Sequence, residues 1–178
     1  SAASDVYKRQ RFMELVVIPE MADDNEKVRT IDELPQSADG KMIMTTEPKF
    51  IPKEAAVIHF SNQETGKIRL IDCVGYLVPE AVGAIEEEKE RMVKTPWSEE
   101  EIPFSKAAEI GTSKVIREHS NLGLIITTDG SFGDIPAVNF EEALQKTVME
   151  CEKAGKPFLI LVNTESKKAF LLFHIPSP

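Results

Sequence analysis

The chain of 178 residues carries 21 Lys and Arg against 30 Asp and Glu, a formal net charge of −9, and 42% of its residues are hydrophobic. This hydrophobic share is enough for one folded core and excludes wholesale disorder, and no apolar run reaches the roughly 18 residues of a membrane-spanning helix. The acidic balance argues against nucleic acid and anionic membrane surfaces as partners, because both are bound through an excess of Lys and Arg.

The first part of the chain predicts a short apolar element, a long loop and a β-hairpin. Residues 12–18 are apolar apart from one Glu, which fits the last turns of a helix or a short buried strand, and periodicity does not choose between them. Residues 20–52 are polar and proline-rich, which predicts a long loop with at most short structure. The strand-like runs 55–60 and 67–73 are joined by turn residues that end in Gly66, and they predict an antiparallel hairpin.

The segment that follows, residues 75–103, is acidic and interrupted by prolines, so we expect irregular structure there. Within it, residues 80–101 hold eight acidic residues against three basic ones, which is −5 of the net charge. Charge runs of this kind are typical of a solvated loop or helix face.

A helix and a buried strand are predicted next. Ser105 is a candidate N-cap for a helix that ends near His119. Leu122–Thr128 is a short, nearly continuous apolar run of the kind that is buried on both faces in a parallel sheet.

A second helix and strand follow. Asn139 and Glu142 form a candidate capping box. The helix has an apolar face made of Phe140, Leu144, Val148 and Cys151. It ends at Gly155, and Phe158–Val162 is another buried-strand run. Hairpin, helix, strand, helix and strand in this order predict an α/β fold, a three-layer domain with a mostly parallel sheet and one antiparallel hairpin.

Cysteine and histidine give no sign of a metal site or of nucleophilic catalysis. Cys73 and Cys151 lie far apart without CxxC spacing, so neither a disulfide framework nor a zinc site is expected, which fits a reducing cytoplasm. The three histidines (His59, His119, His174) are dispersed, and none has a carboxylate or nucleophile at a telling spacing.

In doubly wound sheets, ligands bind beyond the carboxyl ends of the strands, so polar residues there are the candidates for chemistry. Asp72 begins a DxxG motif that ends at Gly75, directly after an apolar strand. A carboxylate at this place can hold Mg²⁺ directly or through water, and the glycine lets a backbone N–H approach a terminal phosphate. The alternative is an Asp that caps the loop after the strand.

Two further segments are weaker candidates for a ligand site. Thr45 and Thr46 lie in the long loop before the hairpin, where their hydroxyls can reach Mg²⁺ and sense a γ-phosphate, or simply form turn hydrogen bonds. The glycine-rich turn that starts at Asp129 is either ordinary loop chemistry or ligand-facing.

Asn163 ends the last buried strand, and Thr164 follows it. Guanine-nucleotide proteins carry NKxD at this strand end, but residues 163–166 are Asn-Thr-Glu-Ser and lack both the Lys and the Asp. Guanine selectivity is therefore not supported. The GxxxxGK[ST] loop that cradles phosphates is also absent from the sequence.

The order of the loop, hairpin, DxxG and Asn-ended strand is that of translation-factor-related P-loop NTPases. More narrowly, several blocks resemble the ATPase-domain family of stage IV sporulation protein A over about residues 11–164. These blocks are RFMELVVIP, DELPQSADGKMIMTTEPKFIP, RLIDCVGYLVPEAVG, MVKTPWSEEEIPFSKAAEIGTSKVIREHS, ITTDGSFGDIP and GKPFLILVN.

The resemblance implies a Ras-like P-loop NTPase domain that uses ATP and Mg²⁺ but here lacks its first strand and P-loop. Asp72 matches the Walker B carboxylate on the Mg²⁺ shell, and Gly75 matches the glycine that faces the γ-phosphate. Thr45 and Thr46 match the first switch loop, with Thr46 as a candidate Mg²⁺ ligand. Asn163 and Thr164 match the end of the strand on the base side of the nucleotide.

The resemblance also implies domain limits. Residues 1–10 contain no glycine and resemble translated sequencing-adapter read-through, so we expect a non-native leader there. Residues 11–164 are then a partial NTPase domain. Residues 165–178 form a tail that departs from the family, and its apolar part, Ala169–Ile175, is a candidate edge strand.

The function implied by the resemblance is that of an ATP-hydrolysing spore-coat morphogenetic protein, which self-assembles into the basal coat layer on the forespore surface, on the mother-cell side. Its expected partners are further copies of itself and other spore-coat or forespore-surface proteins, without nucleic acid and without direct membrane insertion. The acidic segment 80–101 then falls in the second switch region. The alternative is a nucleotide-free, NTPase-like module that acts only through protein contacts.

Overall fold

The structure, a computed structural model, describes residues 12–34, 48–61, 64–78, 85–86, 89–131, 135–164 and 171–176. The described residues fall into two compact units. The N-terminal unit comprises residues 12–34 and 49–72, and the C-terminal unit comprises Pro48 and the described residues from Cys73 onward.

The N-terminal unit opens with helical turns, which decides between the two predictions for residues 12–18. Met13–Val17 form a π-helical turn and Ile18–Glu20 a 3₁₀ turn, with Pro19 early in the latter. Proline suits this place, because it lacks an N–H that would have no partner in the first turn of a helix.

Helix α1, Asp24–Glu33, lies where the sequence predicted a long loop, so that prediction was wrong for this stretch. Asp23 caps the helix, since its side chain accepts hydrogen bonds from the backbone N–H of Asn25 (2.7 Å) and Glu26 (3.3 Å). The Asp23-x-x-Glu26 spacing is a helix-start signal that the polar composition of the segment concealed.

The predicted antiparallel hairpin is confirmed. Its strands are longer than expected, β1 being Lys49–His59 and β2 Thr65–Asp72. The register pairs Lys49 with Asp72 and is interrupted between Ile51 and Ala56. Pro52 lies within this interruption, and proline is tolerated in strands at bulges. The buried core of this unit consists of Met13, Val17, Ile18, Met21, Leu34, Ile51 and Ala56.

The C-terminal unit begins with short antiparallel strands. They pair as β3 (Ile85–Glu86) with β4 (Lys89–Glu90), and β5 (Met92–Thr95) with β6 (Ser98–Pro103). Irregular structure was expected here, but Thr95 pairs with Ser98 across the two-residue turn Pro96-Trp97. Pro96 therefore lies in the turn and Pro103 at the end of β6. Proline is tolerated at such positions, because it does not interrupt the hydrogen bonds between strands.

Helix α2, Phe104–Lys114, continues as a π-helical turn, Val115–His119, and so ends where predicted. Its predicted N-cap was wrong. Pro103 holds the cap position in an extended conformation, and Ser105 already lies in the first turn, where its hydroxyl donates to the Glu90 carboxylate.

Helix α3, Glu141–Lys153, follows a 3₁₀ turn, Ala137–Phe140. The capping box predicted at Asn139 was wrong, because the extended backbone of Pro136 starts the 3₁₀ turn and Asn139 already belongs to it. The predicted helix end is confirmed, with Gly155 at φ +63° directly after the C-cap residue.

The main sheet has the order β7-β8-β9, with β7 Gly123–Thr128, β8 Phe158–Asn163 and β9 Leu171–His174. Strands β7 and β8 are parallel and β9 is antiparallel to β8, so the candidate edge strand in the tail is confirmed. The fold is α/β as predicted. The expectation of a mostly parallel sheet was wrong for the described residues, because β9 runs antiparallel to β8 and the other strands pair as antiparallel hairpins.

The core beneath this sheet consists of Ile116, Ile125, Cys151 and Phe158, with Leu144, Val148, Ala154 and Ile160 packed against it. Phe158 also stacks on His174 of β9, with ring centroids 4.8 Å apart. None of the helices in the described part of the chain is long and apolar enough to cross a membrane.

We expect Phe158→Ala to lower the free energy of unfolding by about 3–5 kcal/mol, because it removes a buried ring and leaves a cavity. Phe173→Ala on β9 is the matched control, since Phe173 is 60% exposed and Phe158 only 4%. Chemical denaturation of both variants measures the difference. Equal losses in the two would contradict the assignment of Phe158 to the core.

Candidate functional site

Asp72 is the last residue of β2 and lies in the N-terminal unit. It is half-buried, and less than 1 Å² of its Oδ1 atom is accessible to solvent. The hairpin therefore fixes this carboxylate at the carboxyl end of a strand, as the sequence predicted.

Gly75 follows three residues later, in the C-terminal unit, with φ +82°. A side chain is strained at this φ, and no atom lies within 4 Å of the position that its Cβ would occupy. The backbone here is thus both left-handed and open, which lets another group approach it closely. Thr45 and Thr46 lie outside the described residues, so their role as switch-loop residues stays a prediction.

The other predicted site residues lie at the carboxyl edge of the parallel pair. Asn163 pairs in register with Thr128, so β7 and β8 end together. The backbone N–H of Asp129 donates to the Asn163 carbonyl at 3.2 Å. The structure therefore brings Asn163 and Thr164 next to the turn that begins at Asp129.

The Asp129 carboxylate is held in place by this turn. Its Oδ1 accepts hydrogen bonds from the backbone N–H of Ser131 (3.0 Å) and from the Ser131 hydroxyl (2.5 Å). The pKa of Asp129 is lowered to about 2. The hydrogen bond with the Ser131 hydroxyl is the largest cause, followed by one with the Thr164 side chain and then by the bond from the Ser131 N–H. The side chain is exposed and ionised throughout the physiological range.

Gly130 fixes the shape of the same turn. It lies at φ +82°, and a Cβ on it would come within 3.0 Å of the Ala137 backbone nitrogen. Its N–H donates to the hydroxyl of the buried Thr128 at 3.1 Å. The sequence left this turn open between loop chemistry and a ligand-facing role, and its other two members, Gly133 and Asp134, lie outside the described residues.

A second polar cluster in the C-terminal unit surrounds Glu150 of α3. Its Oε1 accepts hydrogen bonds from Ser113 Oγ (2.8 Å) and Arg117 Nε (2.6 Å), which joins α2 and its π-helical turn to α3. Burial, and after it the charges of Glu150 and Glu109, raise the pKa of Tyr76 to about 12. Sequence reasoning did not single out Tyr76, because the residues that surround it come from distant segments.

Both cysteines, Cys73 and Cys151, are free. In the described part of the chain, no group of three or more His, Cys, Asp or Glu side chains is arranged to hold a metal ion.

The raised pKa of Tyr76 predicts a pH dependence of stability. Because the folded-state pKa of Tyr76 exceeds the ordinary value of 10.0, the contribution of this residue to the free energy of unfolding is complete below pH 10. That contribution declines as the pH rises towards about 12. We expect an ultraviolet titration to show a tyrosinate step near pH 12 that disappears in Tyr76→Phe. In Glu150→Gln this step should move to lower pH, and a Tyr76 step near pH 10 in the wild type would contradict the prediction.

Comparison with known proteins identifies the family to which the chain is similar. The model of the family described as stage IV sporulation protein A, ATPase domain, matches residues 4–171. No solved structure matches the chain.

Three curated relatives are all named stage IV sporulation protein A. The protein of Bacillus subtilis (strain 168) is 52% identical over 155 residues, which is 87% of this chain and 32% of the relative. The Bacillus anthracis protein is 53% identical over the same shares, and that of Clostridioides difficile (strain 630) is 45% identical over 90% of this chain and 33% of its own length. The chain thus spans about a third of the length of these relatives. Since the family model matches nearly all of its residues, the chain belongs to the ATPase-domain family of stage IV sporulation protein A.

Proposed function

We propose that the protein is an ATP-hydrolysing sporulation protein that self-assembles into the basal layer of the spore coat, on the mother-cell side of the forespore surface. The name of the matching family supports ATPase chemistry, and the names of the relatives support a role in sporulation. Hydrolysis, coat assembly and location are parts of this proposal, and the chain spans about a third of the length of the named relatives.

The proposed domain is a P-loop NTPase of the Ras-like type. The antiparallel β1/β2 hairpin before the DxxG motif and the parallel β7/β8 pair after it are consistent with that architecture.

The observation that carries the proposal is the DxxG segment itself. Asp72 ends a strand with one oxygen shielded from solvent, and Gly75 follows at φ +82° with open space around it. These features support a metal-bound phosphate, because the carboxylate suits the metal and an accessible backbone N–H suits the phosphate.

The chemistry of these residues fits Mg²⁺ and ATP in part. Asp72 offers a hard oxygen ligand and Thr46 a hydroxyl, which are the donors that Mg²⁺ takes besides water and phosphate. When bound, Mg²⁺ neutralises the charge that develops on the phosphate oxygens. In this proposal Asp72 would hold the ion directly or through water, the Gly75 N–H would donate to the terminal phosphate, and Thr45 would be the alternative sensor of that phosphate. Asn163 and Thr164 would lie on the base side of the nucleotide.

We expect Asp72→Asn in the full-length protein to lower kcat for ATP hydrolysis on the order of 100-fold, because it weakens the grip on the metal that stabilises the transition state. Asp32→Asn, an exposed carboxylate of α1, is the matched control and should leave kcat unchanged. Phosphate release under saturating Mg²⁺ and ATP measures both. Full activity in Asp72→Asn would remove Asp72 from the site.

The second candidate function is an assembly module that works without nucleotide. One observation favours it, namely that the sequence contains no GxxxxGK[ST] phosphate cradle. ATP binding by this chain, compared with binding by a version extended upstream, separates the two functions. Binding that appears only in the extended protein supports the ATPase, and assembly without ATP binding in both supports the module.

The acidic hairpin β5/β6 is the surface that we propose for self-assembly. Glu99, Glu100 and Glu101 follow one another on β6 and are all exposed, so both faces of the strand present carboxylates. Successive residues of a strand point to opposite faces, and a partner that covers either face therefore meets negative charge.

We expect Glu99→Lys combined with Glu101→Lys to raise the concentration needed for assembly roughly tenfold, since complementary charge steers and fixes such contacts. ATP binding should not change. Glu141→Lys, another exposed carboxylate but on α3, is the control. Sedimentation of the polymer and nucleotide titration give the two readouts, and unaltered assembly in the double variant would contradict the proposal.

A further inference from the structure

The outer face of the β1/β2 hairpin carries two cations side by side. Along β2, Thr65, Lys67 and Arg69 are exposed, whereas Ile68 and Leu70 between them pack against the core of the N-terminal unit. Successive residues of a strand point to opposite faces, so Lys67 and Arg69 share the face that looks away from this core. We call these two residues the basic face.

The charges of the basic face are not neutralised within the structure. The Arg69 guanidinium lies 4.6 Å from the centroid of the Phe50 ring, and its Nη1 donates to the Lys53 carbonyl at 3.3 Å. Both contacts orient Arg69, but neither partner atom group carries a negative charge. Lys67 lies opposite Val57 in the register, and neither cation forms an ion pair with a carboxylate that the structure describes. The basic face therefore presents two positive charges in a chain of net charge −9.

The acidic hairpin β5/β6 carries an excess of the opposite charge. Its register is interrupted around Lys94, so that the glutamates at 99–101 on β6 lie opposite this one residue of β5. All of these side chains are exposed. Since one lysine balances one of the three carboxylates, two negative charges remain, which equals the number of cations on the basic face.

The spacing of the charges matches as well. Lys67 and Arg69 are two residues apart on β2, and Glu99 and Glu101 are two residues apart on β6, which on a strand is about 7 Å in both cases. The basic face can therefore form two ion pairs with the acidic hairpin at once. Because one surface belongs to the N-terminal unit and the other to the C-terminal unit, every copy of the chain offers one of each.

We propose that the basic face of one copy binds the acidic hairpin β5/β6 of a second copy of the chain. This proposal rests on the proposed function and adds to it the partner surface in self-assembly. A contact between two different surfaces leaves each pair of copies with one free surface of each kind, so further copies add until a ring closes or a filament grows. A contact of one surface with itself would stop at the dimer.

The test reverses charges in the full-length protein and measures assembly by sedimentation. Lys67→Glu combined with Arg69→Glu should raise the concentration needed for assembly about tenfold, the effect also expected for Glu99→Lys combined with Glu101→Lys. An equimolar mixture of the two double variants should assemble within about twofold of the wild-type concentration, because each variant then offers surfaces opposite in charge to those of the other.

Lys106→Glu combined with Lys153→Glu is the matched control. Both lysines are exposed, one on α2 and the other on α3, and their reversal changes the net charge by the same amount as reversal of the basic face. This control should assemble as the wild type does. An equal loss of assembly in the control would make net charge the cause and would overturn the proposal.

Cross-linking of the wild type needs no variant, so it decides the matter even where a double variant does not fold. Polymer assembled from equal parts of isotope-labelled and unlabelled protein is treated with a carbodiimide, which joins a lysine amine to a carboxylate in direct contact. We expect mass spectrometry to find peptides of mixed label that join Lys67 to residues 99–101. Cross-links of Lys67 to this segment only within one copy overturn the proposal.

The remaining outcomes are as clear. A mixture that does not recover assembly overturns the proposal, and so does unaltered assembly after reversal of the basic face. If that reversal instead abolishes binding to phosphatidylglycerol vesicles and leaves assembly intact, the basic face belongs to an anionic lipid surface. In all these cases the wild type still assembles, so self-assembly itself stands. A wild type that does not assemble removes both proposals.

Discussion

The C-terminal unit depends on the parallel pairing of β7 with β8. Six residue pairs run from Gly123 opposite Phe158 to Thr128 opposite Asn163. Gly123 permits this pairing beneath α3, because a Cβ there would lie 3.1 Å from the Phe158 Cβ and 3.3 Å from the Cys151 sulfur. A slip by one residue would turn Phe158 out of the core, so packing fixes the register. The register in turn brings Thr128 and Asn163 together at the ends of the two strands.

Glu150 connects the packing of α2 against α3 with Tyr76, which lies in the segment after the DxxG motif. Burial opposes its ionisation, but the hydrogen bonds from Ser113 and Arg117 outweigh that effect and lower the pKa of Glu150. Its side chain is only 13% exposed, so solvent screens this charge less than it screens a surface ion pair. The charge is felt by Tyr76, the residue next to Gly75. The packing of α2 against α3 and the environment of this tyrosine therefore depend on the same carboxylate.

The N-terminal unit positions its own site residue by different means. Ala22 donates to the Val57 carbonyl at 2.9 Å, and Met21 forms a β-bridge with Ile58, so the segment before α1 is fastened to the hairpin. The carboxylate of Asp72 occupies the last pair of that hairpin, opposite Lys49. Its place is thus set by strand pairing and by the apolar core of this unit.

The sequence by itself determined the hairpin, the two buried strands of the sheet and the ends of helices α2 and α3. It also determined the candidate residues Asp72, Gly75 and Asn163. Apolar runs, glycines and strand ends are local signals, so a sequence is enough to read them. The starts of α2 and of the 3₁₀ turn before α3 follow Pro103 and Pro136, local signals that the expected caps at Ser105 and Asn139 overlooked. The long-range contacts were decided by the tertiary structure. It alone joined Asp129 to Thr164 and Tyr76 to Glu150. Such contacts arise from strand register and helix packing between distant segments, and no local pattern records them.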